Sequence, residues 1–560
     1  KDGKIDLLKR FNLDKINLIF QIKDNNLKFN NLKLSFNNKD ISVPELIVKK
    51  EFDDFLISGK VKHSNIFIDK DFITKLINID LPRPDIKEIN FNSQNDFNFK
   101  LDKSFKIINL NINSKINLNS LKVENIFELK KIFPKIKRNI ILKDHKITLS
   151  YKNDDITIVG SGNAIFQDQS DKIKYQVIKN KNVINFDTQL MIINNLFEIS
   201  ILNYKKNKNE EIEINIKGKK EIDKNLLLKE ISLIEKNNNI YIKNLLLSKN
   251  YKINNIENII LDYKDKEDLL NKIQISRNEK NYNIEGASLN INKIIEDLLK
   301  LNNDEKLNIF NNNFKLNFDI KKVYLDNKNI INNLRGYLFL KDNKVSEAEL
   351  ISKFPNQKSI KFTINQNGSD QITTLTSKEA KPLVDRYKFI KGFEGGVLDF
   401  YSIKNDNITN STLKIDNFKV QEIPVLAKLL TLASLQGIAD LLTGEGIRFT
   451  DFEMKFSNKN KLTTIEEIYA IGPAISILMD GYIESSKLIS LRGTLVPATT
   501  INRTISSIPI IGNILVGKKV GEGVFGVSFK VKGPPKDLET TVNPIKTLTP
   551  RFITRTLEKI

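Results

Sequence analysis

The sequence predicts a mostly β protein built around a long, curled antiparallel sheet. Three observations predict it: apolar and polar residues alternate in short segments, polar breaks of two to four residues separate the segments, and helical patterns are few. Alternation with a period of two gives a strand one oily and one wet face. Breaks this short suit antiparallel hairpins rather than crossovers through a helix. Because large sheets twist, a sheet of this size is expected to curl.

The alternation is clearest in three segments of five to seven residues each. In the first segment Ile19 is the one apolar residue out of phase, and the Asn30-Asn31 pair marks the break before the next strand. The residues predicted to line the apolar face are Ile16, Leu18, Phe20, Ile22, Phe97, Phe99, Leu101, Phe314, Leu316, Phe318 and Ile320.

Length and composition set the organisation of the chain. At 560 residues it is too long for one compact core, since single cores stop growing near about 250–300 residues. With 40% hydrophobic residues the chain has enough apolar side chains to fold. Asn becomes rarer and Gly, Pro, Ala and Thr more frequent from about residue 374. The composition therefore predicts a repetitive β meander over 1–373 and a distinct module over 374–560.

The formal net charge of +21 does not predict a nucleic-acid partner. The lysines are interspersed with Asp, Glu and Asn, whereas binding tails carry runs of one sign. A solvated outer face is the interpretation that we favour. Such a surface also attracts anionic lipid headgroups, by about 1 kcal/mol for each well-placed cation.

The residue types present argue against enzymatic catalysis and metal binding. The chain contains no Cys and only two His, His63 and His145, which excludes thiol catalysis and Cys/His metal sites and disfavours a Ser-His pair. No nucleophile-base motif or catalytic carboxylate pair is recognisable. The sequence thus predicts no enzyme, no catalytic residues, no metal and no cofactor.

The continuous apolar face must be shielded from water, because a protein that exposes such a face to solvent would aggregate. A second sheet, closure into a barrel, or the hydrocarbon of a ligand lying in an open trough would each provide it. Periodicity alone leaves these three possibilities open.

An apolar segment in the C-terminal module predicts a helix. It starts at Pro424 in the first helical turn and ends at Leu442 before Thr443-Gly444. A helix this apolar is either buried under a sheet or in contact with lipid. Its expected contact residues are Val425, Leu426, Leu429, Leu430, Leu432, Leu435, Ile438, Leu441 and Leu442.

Short motifs of this C-terminal module resemble the AsmA-like C-terminal region of YhdP-type proteins, within the AsmA and TamB superfamily. They occur in order over about 374–560, while the upstream meander resembles the family only in style. The motifs are Pro424-Val425-Leu426-Ala427, Ala433-Ser434-Leu435-Gln436-Gly437, Gly444-Glu445-Gly446-Ile447 with Phe449, Gly493-Thr494-Leu495-Val496-Pro497-Ala498, Ile508-Pro509-Ile510-Ile511-Gly512, Gly521-Glu522-Gly523-Val524-Phe525-Gly526-Val527, Gly533-Pro534 and Val542-Asn543-Pro544.

This resemblance implies passive phospholipid transport along a hydrophobic β trough between the inner and outer membranes of a bacterial envelope. It further implies a periplasmic protein that is anchored to the inner membrane, through a segment not present in this chain, and a C-terminal α/β module that caps the trough or docks at a membrane. Phospholipid, both membranes and other envelope proteins are the implied partners. The alternative from another functional class is a structural or adhesive envelope protein built of β-sandwiches.

Overall fold

The computed structural model describes most of the chain. The described residues are 3–7, 11–23, 26–36, 39–69, 86–104, 106–124, 130, 132–207, 209–221, 224–293, 310–386, 392–405, 407–421, 424–432, 444–484, 487–497, 527–535 and 537–543.

Strands make up 75% of the structure and helices 4%, so the mostly β prediction is confirmed. The strands of the first half of the chain are β1 (Gly3–Leu7), β2 (Phe11–Lys23), β3 (Asn26–Phe36), β4 (Lys39–Glu51), β5 (Asp54–Asp69), β6 (Ile86–Leu101), β7 (Ile107–Glu124), β8 (Asn139–Lys152), β9 (Asp155–Ile165), β10 (Asp171–Asn180), β11 (Val183–Ile192), β12 (Glu198–Ile199), β13 (Tyr204–Lys205), β14 (Ile212–Glu221), β15 (Leu226–Glu235), β16 (Asn238–Leu247), β17 (Ile253–Lys264) and β18 (Leu270–Asn278). Those of the second half are β19 (Asn281–Asn290), β20 (Phe314–Tyr324), β21 (Ile330–Lys341), β22 (Lys344–Lys353), β23 (Ser359–Asn367), β24 (Asp370–Ser377), β25 (Glu394–Asn405), β26 (Ile408–Val420), β27 (Ile447–Lys459), β28 (Leu462–Ile471), β29 (Ile475–Glu484), β30 (Leu488–Pro497), β31 (Val527–Gly533) and β32 (Glu539–Asn543).

The chain folds into two compact units. The first contains residues 1–277 with 309–311, and the second contains 278–308 with 312–560. The strands pair into one large, mostly antiparallel sheet that is not closed. We call its part in the first unit, β1–β11 with β14–β18, the first sheet, and its part in the second unit, β19–β32, the second sheet. Among the described strands, β12 and β13 form a separate two-stranded sheet, and β19 pairs with β20 in parallel.

The strands are longer than the sequence pattern suggests, because many predicted breaks lie inside them. β7 has 18 residues, and β3 continues through the predicted Asn30-Asn31 break. Within strands, residues in the left-handed region with φ from 49° to 56° occur at Asn31, Asn65, Asn109, Asp144, Asn244, Asn333 and Asn417. Asn and Asp tolerate this conformation better than other residues that carry a Cβ.

The apolar alternation shifts by one residue at these positions, and at several of them, such as Asn31 and Asn333, the pairing register with one neighbouring strand shifts as well. In β16 the apolar positions are Ile240 and Ile242 before Asn244 and Leu245 and Leu247 after it. A left-handed residue inside a strand is the hallmark of one bulge type, which bends the strand and increases its twist. The many Asn residues therefore have a structural role inside the sheet, as well as in turns such as Asn153-Asp154.

Two short α-helices are described, α1 (Lys381–Val384) and α2 (Pro424–Leu432), together with a 3-10 helix at Ser200–Leu202. α2 begins at Pro424, as expected, and its predicted continuation to Leu442 lies outside the described residues. The sequence boundary at 374 falls within β24, which pairs with β23 on one side and β25 on the other. A separate C-terminal module remains a prediction.

Candidate functional site: the apolar faces of the two sheets

One apolar row crosses every strand of the second sheet, from β19 to β32. Its members lie directly opposite one another on neighbouring strands, and paired residues share a face of the sheet. In order they are Ile284, Phe318, Gly336, Leu350, Phe362, Leu375, Phe400, Leu413, Met454, Ile468, Met479, Gly493, Phe529 and Val542. This row is therefore continuous across the sheet, while the next row on the same face includes Thr373, Ser402 and Ser411.

Most of this row is only half buried. Ile284, Ile468 and Phe529 are buried, whereas the large side chains from Phe318 to Met454 keep part of their surface exposed. Every described strand of this unit belongs to the second sheet, so the described residues of the unit provide no other sheet to pack on this face. Full burial of a large apolar side chain contributes about 1.5–3 kcal/mol of free energy. Because most side chains of this row are only half buried, covering them further would contribute additional free energy.

The opposite face of the second sheet is polar. Ion pairs cross its strands between Asp319 and Arg335 at 3.4 Å, between Glu349 and Lys361 at 2.8 Å and between Asp480 and Arg492 at 3.0 Å. All are exposed and contribute little to stability. They mark this face as the solvated one.

Two helices cover part of the apolar face of the second unit. The side chains of Leu426, Leu429 and Leu430 in α2 are buried in a cluster with Leu495 and Phe529 of the sheet. Val384 of α1 belongs to the same cluster. The strands from β20 to β23 contribute no residue to this buried cluster as the structure describes it, so the helices cover one part of the face and not the other.

The first sheet has an equivalent apolar face. From β10 to β18, one row in register consists of Ile173, Leu190, Ile214, Leu233, Ile240, Leu261 and Ile273. The next row, two residues along each strand, consists of Tyr175, Thr188, Ile216, Ile231, Ile242, Ile259 and Ile275. The opposite face carries ion pairs such as Lys272 to Asp262 at 2.7 Å.

An aromatic rim seals this face at one end of the strands. The rings of Phe166, Phe133, Phe197, Tyr204 and Tyr263 follow one another with centroids 5.5, 5.5, 6.4 and 5.7 Å apart. They lie at the ends of β9 and β17 and in the long connections between strands. We call these five residues the aromatic rim.

Backbone hydrogen bonds join the connections that carry the rim. Lys137 N donates to Phe166 O, Glu198 N to Ile132 O and Lys266 N to Asn203 O, each at 2.9 Å. These bonds turn separate loops into one layer. The face residues beneath it, Ile192 and Ile212, have no exposed surface.

A buried carboxylate anchors the rim to the sheet. The Tyr204 hydroxyl donates to Glu235 Oε2 at 2.7 Å and Asn207 N donates to Glu235 Oε1 at 2.7 Å. Burial first, and then the bond to the Glu235 carboxylate, raises the pKa of Tyr204 well above its ordinary value. Burial likewise raises the pKa of Tyr263, whose hydroxyl donates to Leu202 O at 2.7 Å. Both phenols therefore remain protonated donors.

At the other end of the same strands, the described residues form no comparable aromatic layer, and we call this the open end. Its connections include tight turns at 52–53, 153–154 and 181–182, and the side chain of Phe52 is 97% exposed. Burial along the face falls from the rim towards this end: Leu233, Ile240 and Leu261 are buried, and Ile231, Ile242 and Ile259 in the next row are half buried.

The predicted face residues occupy different environments. In β2, Ile16 is half buried, whereas Leu18, Phe20 and Ile22 are 40%, 54% and 73% exposed. Ile19, out of phase with them, is also 67% exposed. The N-terminal strands of the first unit thus leave their apolar residues the least covered among those predicted.

In β6 the predicted residues Phe97, Phe99 and Leu101 are half buried. The rings of Phe97 and Phe99 stack at 6.0 Å, and the Phe97 ring lies over Gly59, where an added Cβ would come within 2.9 Å of it. This glycine leaves room for the ring on the face.

In β20 the four predicted residues share the apolar face of the second sheet. Leu316 and Phe318 are half buried, whereas Phe314 and Ile320 are buried. The Phe314 ring contacts Tyr282 edge to face at 5.3 Å. Two of the four therefore pack mainly on protein.

Of the predicted helix residues, Leu426, Leu429 and Leu430 are buried against the sheet. Nothing is described of the side chains of Val425 and Leu432. Leu435, Ile438, Leu441 and Leu442 lie outside the described residues.

Sequence reasoning missed the aromatic rim, because all of its members except Tyr263 lie outside the long alternating strands. The signal was the length of these connections: 193–211 joins two adjacent strands where two residues suffice elsewhere. Long loops of compact domains are commonly functional.

Over the described residues, no helix is long and apolar enough to cross a membrane, and no group of three or more His, Cys, Asp or Glu could hold a metal ion.

Comparison of the sequence with protein-family models and with curated proteins finds no match.

Proposed function

We propose that this protein binds lipid along the apolar faces of its sheets and carries it passively, without catalysis. One observation carries the proposal: a row of apolar residues crosses every strand from β19 to β32, is largely half buried, and has no other sheet over it among the described residues of its own unit. Hydrocarbon chains would complete the burial of these side chains and make the face a trough.

A uniform apolar row favours sliding over escape. Each CH₂ group removed from water contributes about 0.8 kcal/mol, so a lipid with two chains is held firmly. Moving from one strand to the next exchanges one apolar contact for another and changes the buried area little. The barrier to movement along the face is then low, and the barrier to leaving it is high.

The aromatic rim of the first unit supports one orientation of the bound lipid. Acyl chains would point towards the aromatic rim, where the face is dry and closed. Headgroups would lie at the open end of the strands, where solvent reaches them. This arrangement leaves the polar part of the lipid hydrated and removes only hydrocarbon from water.

The family and the cellular setting belong to the same proposal. The C-terminal motifs resemble the AsmA-like region of YhdP-type proteins, and a long antiparallel sheet with one apolar face is compatible with phospholipid transport between the inner and outer membranes. We propose a periplasmic location with anchoring to the inner membrane, and α2 with the C-terminal module as a cap on the trough.

A matched pair of substitutions tests the proposal. Leu350 lies in the apolar row and is half buried, and its neighbour Ile351 faces the polar side and is 46% exposed. Leu350→Asp places a charge among the acyl chains, whereas Ile351→Asp places the same charge in solvent. We expect Leu350→Asp to lower co-purified phospholipid and transfer between vesicles by roughly ten-fold or more, and Ile351→Asp to leave both unchanged.

Lipid extraction followed by mass spectrometry measures the first effect, and circular dichroism checks that both variants fold. Leu350 is a better position than Phe314, because Phe314 is buried against Tyr282. A folded, monodisperse wild-type protein without any bound lipid would refute the proposal and favour a structural or adhesive role.

A further inference from the structure

The open end of β14, β15 and β16 carries an apolar patch on both faces of the first sheet. Leu226, Leu227 and Leu228 of β15 pair directly with Leu247, Leu246 and Leu245 of β16. Leu228 lies opposite Gly218 of the apolar face, and Leu227 lies opposite Lys219 of the polar face. Three consecutive leucines on each strand therefore interrupt the alternation at this point and place hydrocarbon on the polar side.

Basic side chains surround these leucines on the polar face. Leu227 and Leu246 form the floor of a shallow cavity of about 440 Å³, whose walls include Lys219, Glu221, Lys224 and Lys249. Glu221 binds Lys219 at 3.0 Å and Lys224 at 2.7 Å. Hydrogen bonds from Lys224 and Lys219 lower the pKa of Glu221 to about 2, so the glutamate stays charged at neutral pH. Three ammonium groups and one carboxylate leave the cavity positive.

The last row of the apolar face at the same end is also partly basic. It consists of Lys179, Ile184, Lys220, Leu226, Leu247 and Ile253 in register. Both faces therefore combine lysine and leucine side chains where the strands end. An apolar floor beside clustered cations suits a molecule that has both hydrocarbon and negative charge.

We propose that this cavity binds an anionic amphiphile, with a phosphate group among Lys219, Lys224 and Lys249 and a hydrocarbon chain on Leu227 and Leu246. As a place where lipid reaches or leaves the apolar face, the site rests on the proposed function; as a binding site, it stands on its own residues. Lysine recognises phosphate as a compact charge with three donors. The leucines add the selectivity for an amphiphile over a free anion.

Octyl phosphate, below its micelle concentration, is the probe for the site. Reaction of lysines with an acylating reagent, followed by peptide mass spectrometry, reports which amines the probe protects. We expect protection of Lys219, Lys224 and Lys249, and none of Lys103 and Lys152, which lie at other turns of the open end. Inorganic phosphate and octyl glucoside each supply only half of the recognition and should not protect the three lysines.

Two pairs of substitutions separate the apolar floor from general hydrophobicity. Leu227→Ser with Leu246→Ser removes the floor, and we expect the Kd for octyl phosphate to rise roughly ten-fold. Ile234→Ser with Ile260→Ser is the matched control, because both isoleucines are exposed on the polar face of the same sheet. The control should bind octyl phosphate as the wild type does.

Equal protection by inorganic phosphate would reduce the cavity to an anion site and overturn the proposal, as would protection of Lys103 and Lys152 to the same degree. If Leu350→Asp removes co-purified lipid but octyl phosphate protects no lysine, the result supports the lipid-carrying function and refutes this site. Selective protection in a protein that carries no lipid would preserve the amphiphile site and refute transport.

Discussion

The two ends of the strands in the first unit differ although the same alternating strands run between them. At one end, long connections carry the aromatic rim, and Ile192 and Ile212 beneath it are fully buried. At the open end, the described connections include tight turns and form no such layer, and Phe52 projects almost entirely into solvent. Connection length, more than strand composition, decides which end is dry.

This difference makes one end of the strands apolar and the other end polar, although the strands themselves are alike. A ligand lying across the strands finds hydrocarbon at the rim and water with lysines at the turns. An amphiphile is the class of molecule whose own polarity matches that change, because its charged end needs hydration and its chains do not.

The largest expected effect comes from removing the rim. Tyr204→Ala deletes a ring with no exposed surface and leaves Glu235 without one of its donors. We expect it to cost about 3–5 kcal/mol of unfolding free energy, measured by urea denaturation. Phe52→Ala at the open end is the control, and we expect a change within about 0.5 kcal/mol.

Tyr204→Phe separates the contribution of the hydroxyl from that of the ring. It keeps the ring and removes only the hydroxyl, so a cost of about 1–3 kcal/mol is expected for the buried Glu235 carboxylate. Equal costs for Tyr204→Ala and Phe52→Ala would mean that the rim does not seal the face.

A smaller loss of stability is expected from substitutions at the bulges, which keep the apolar residues on one face along the strand. Asn333 in β21 has φ 55° and separates Ile331 from Leu334. Asn333→Val puts a β-branched residue into the left-handed region and should cost about 1–2 kcal/mol. Asn333→Gly should cost less than that, because glycine adopts this conformation freely.

Thermal unfolding of the two Asn333 variants measures the difference. Similar melting temperatures for Val and Gly would show that the left-handed conformation at this position is not required by the fold.

The smallest effect concerns pH. His63 lies opposite Ser93 in the first sheet, and burial lowers its pKa from the ordinary value of 6.5. Because the unfolded chain then binds the proton more tightly, stability should fall as pH drops below about 6.5 and level off below the folded pKa.

His63→Gln removes the titrating group and should flatten this part of the pH profile, as measured by denaturation midpoints between pH 5 and 8. An unchanged slope in the variant would assign the pH dependence to other groups, such as carboxylates.

The sequence predicted the strands of the candidate site better than their surroundings. Phe314, Leu316, Phe318 and Ile320 do share one face, since alternation alone dictates this. Their burial differs because Phe314 meets Tyr282 from β19, which pairs in parallel after a long connection. No local pattern specifies such a partner.

Strand length was underestimated for a related reason. Polar pairs such as Asn30-Asn31 read as turns, because Asn favours them. Inside a sheet the same tolerance of positive φ serves a bulge, and pairing with neighbours on both sides holds the strand together. The shift of alternation across each Asn, as from Ile242 to Leu245, was the available signal.

By itself the sequence determined that the chain forms strands with one apolar and one polar face, because side-chain direction follows from backbone geometry within a few residues. Only the tertiary structure decided what covers each apolar face, where it is sealed and where it stays open. Those outcomes depend on which distant connections pack together, and neither periodicity nor composition records such contacts.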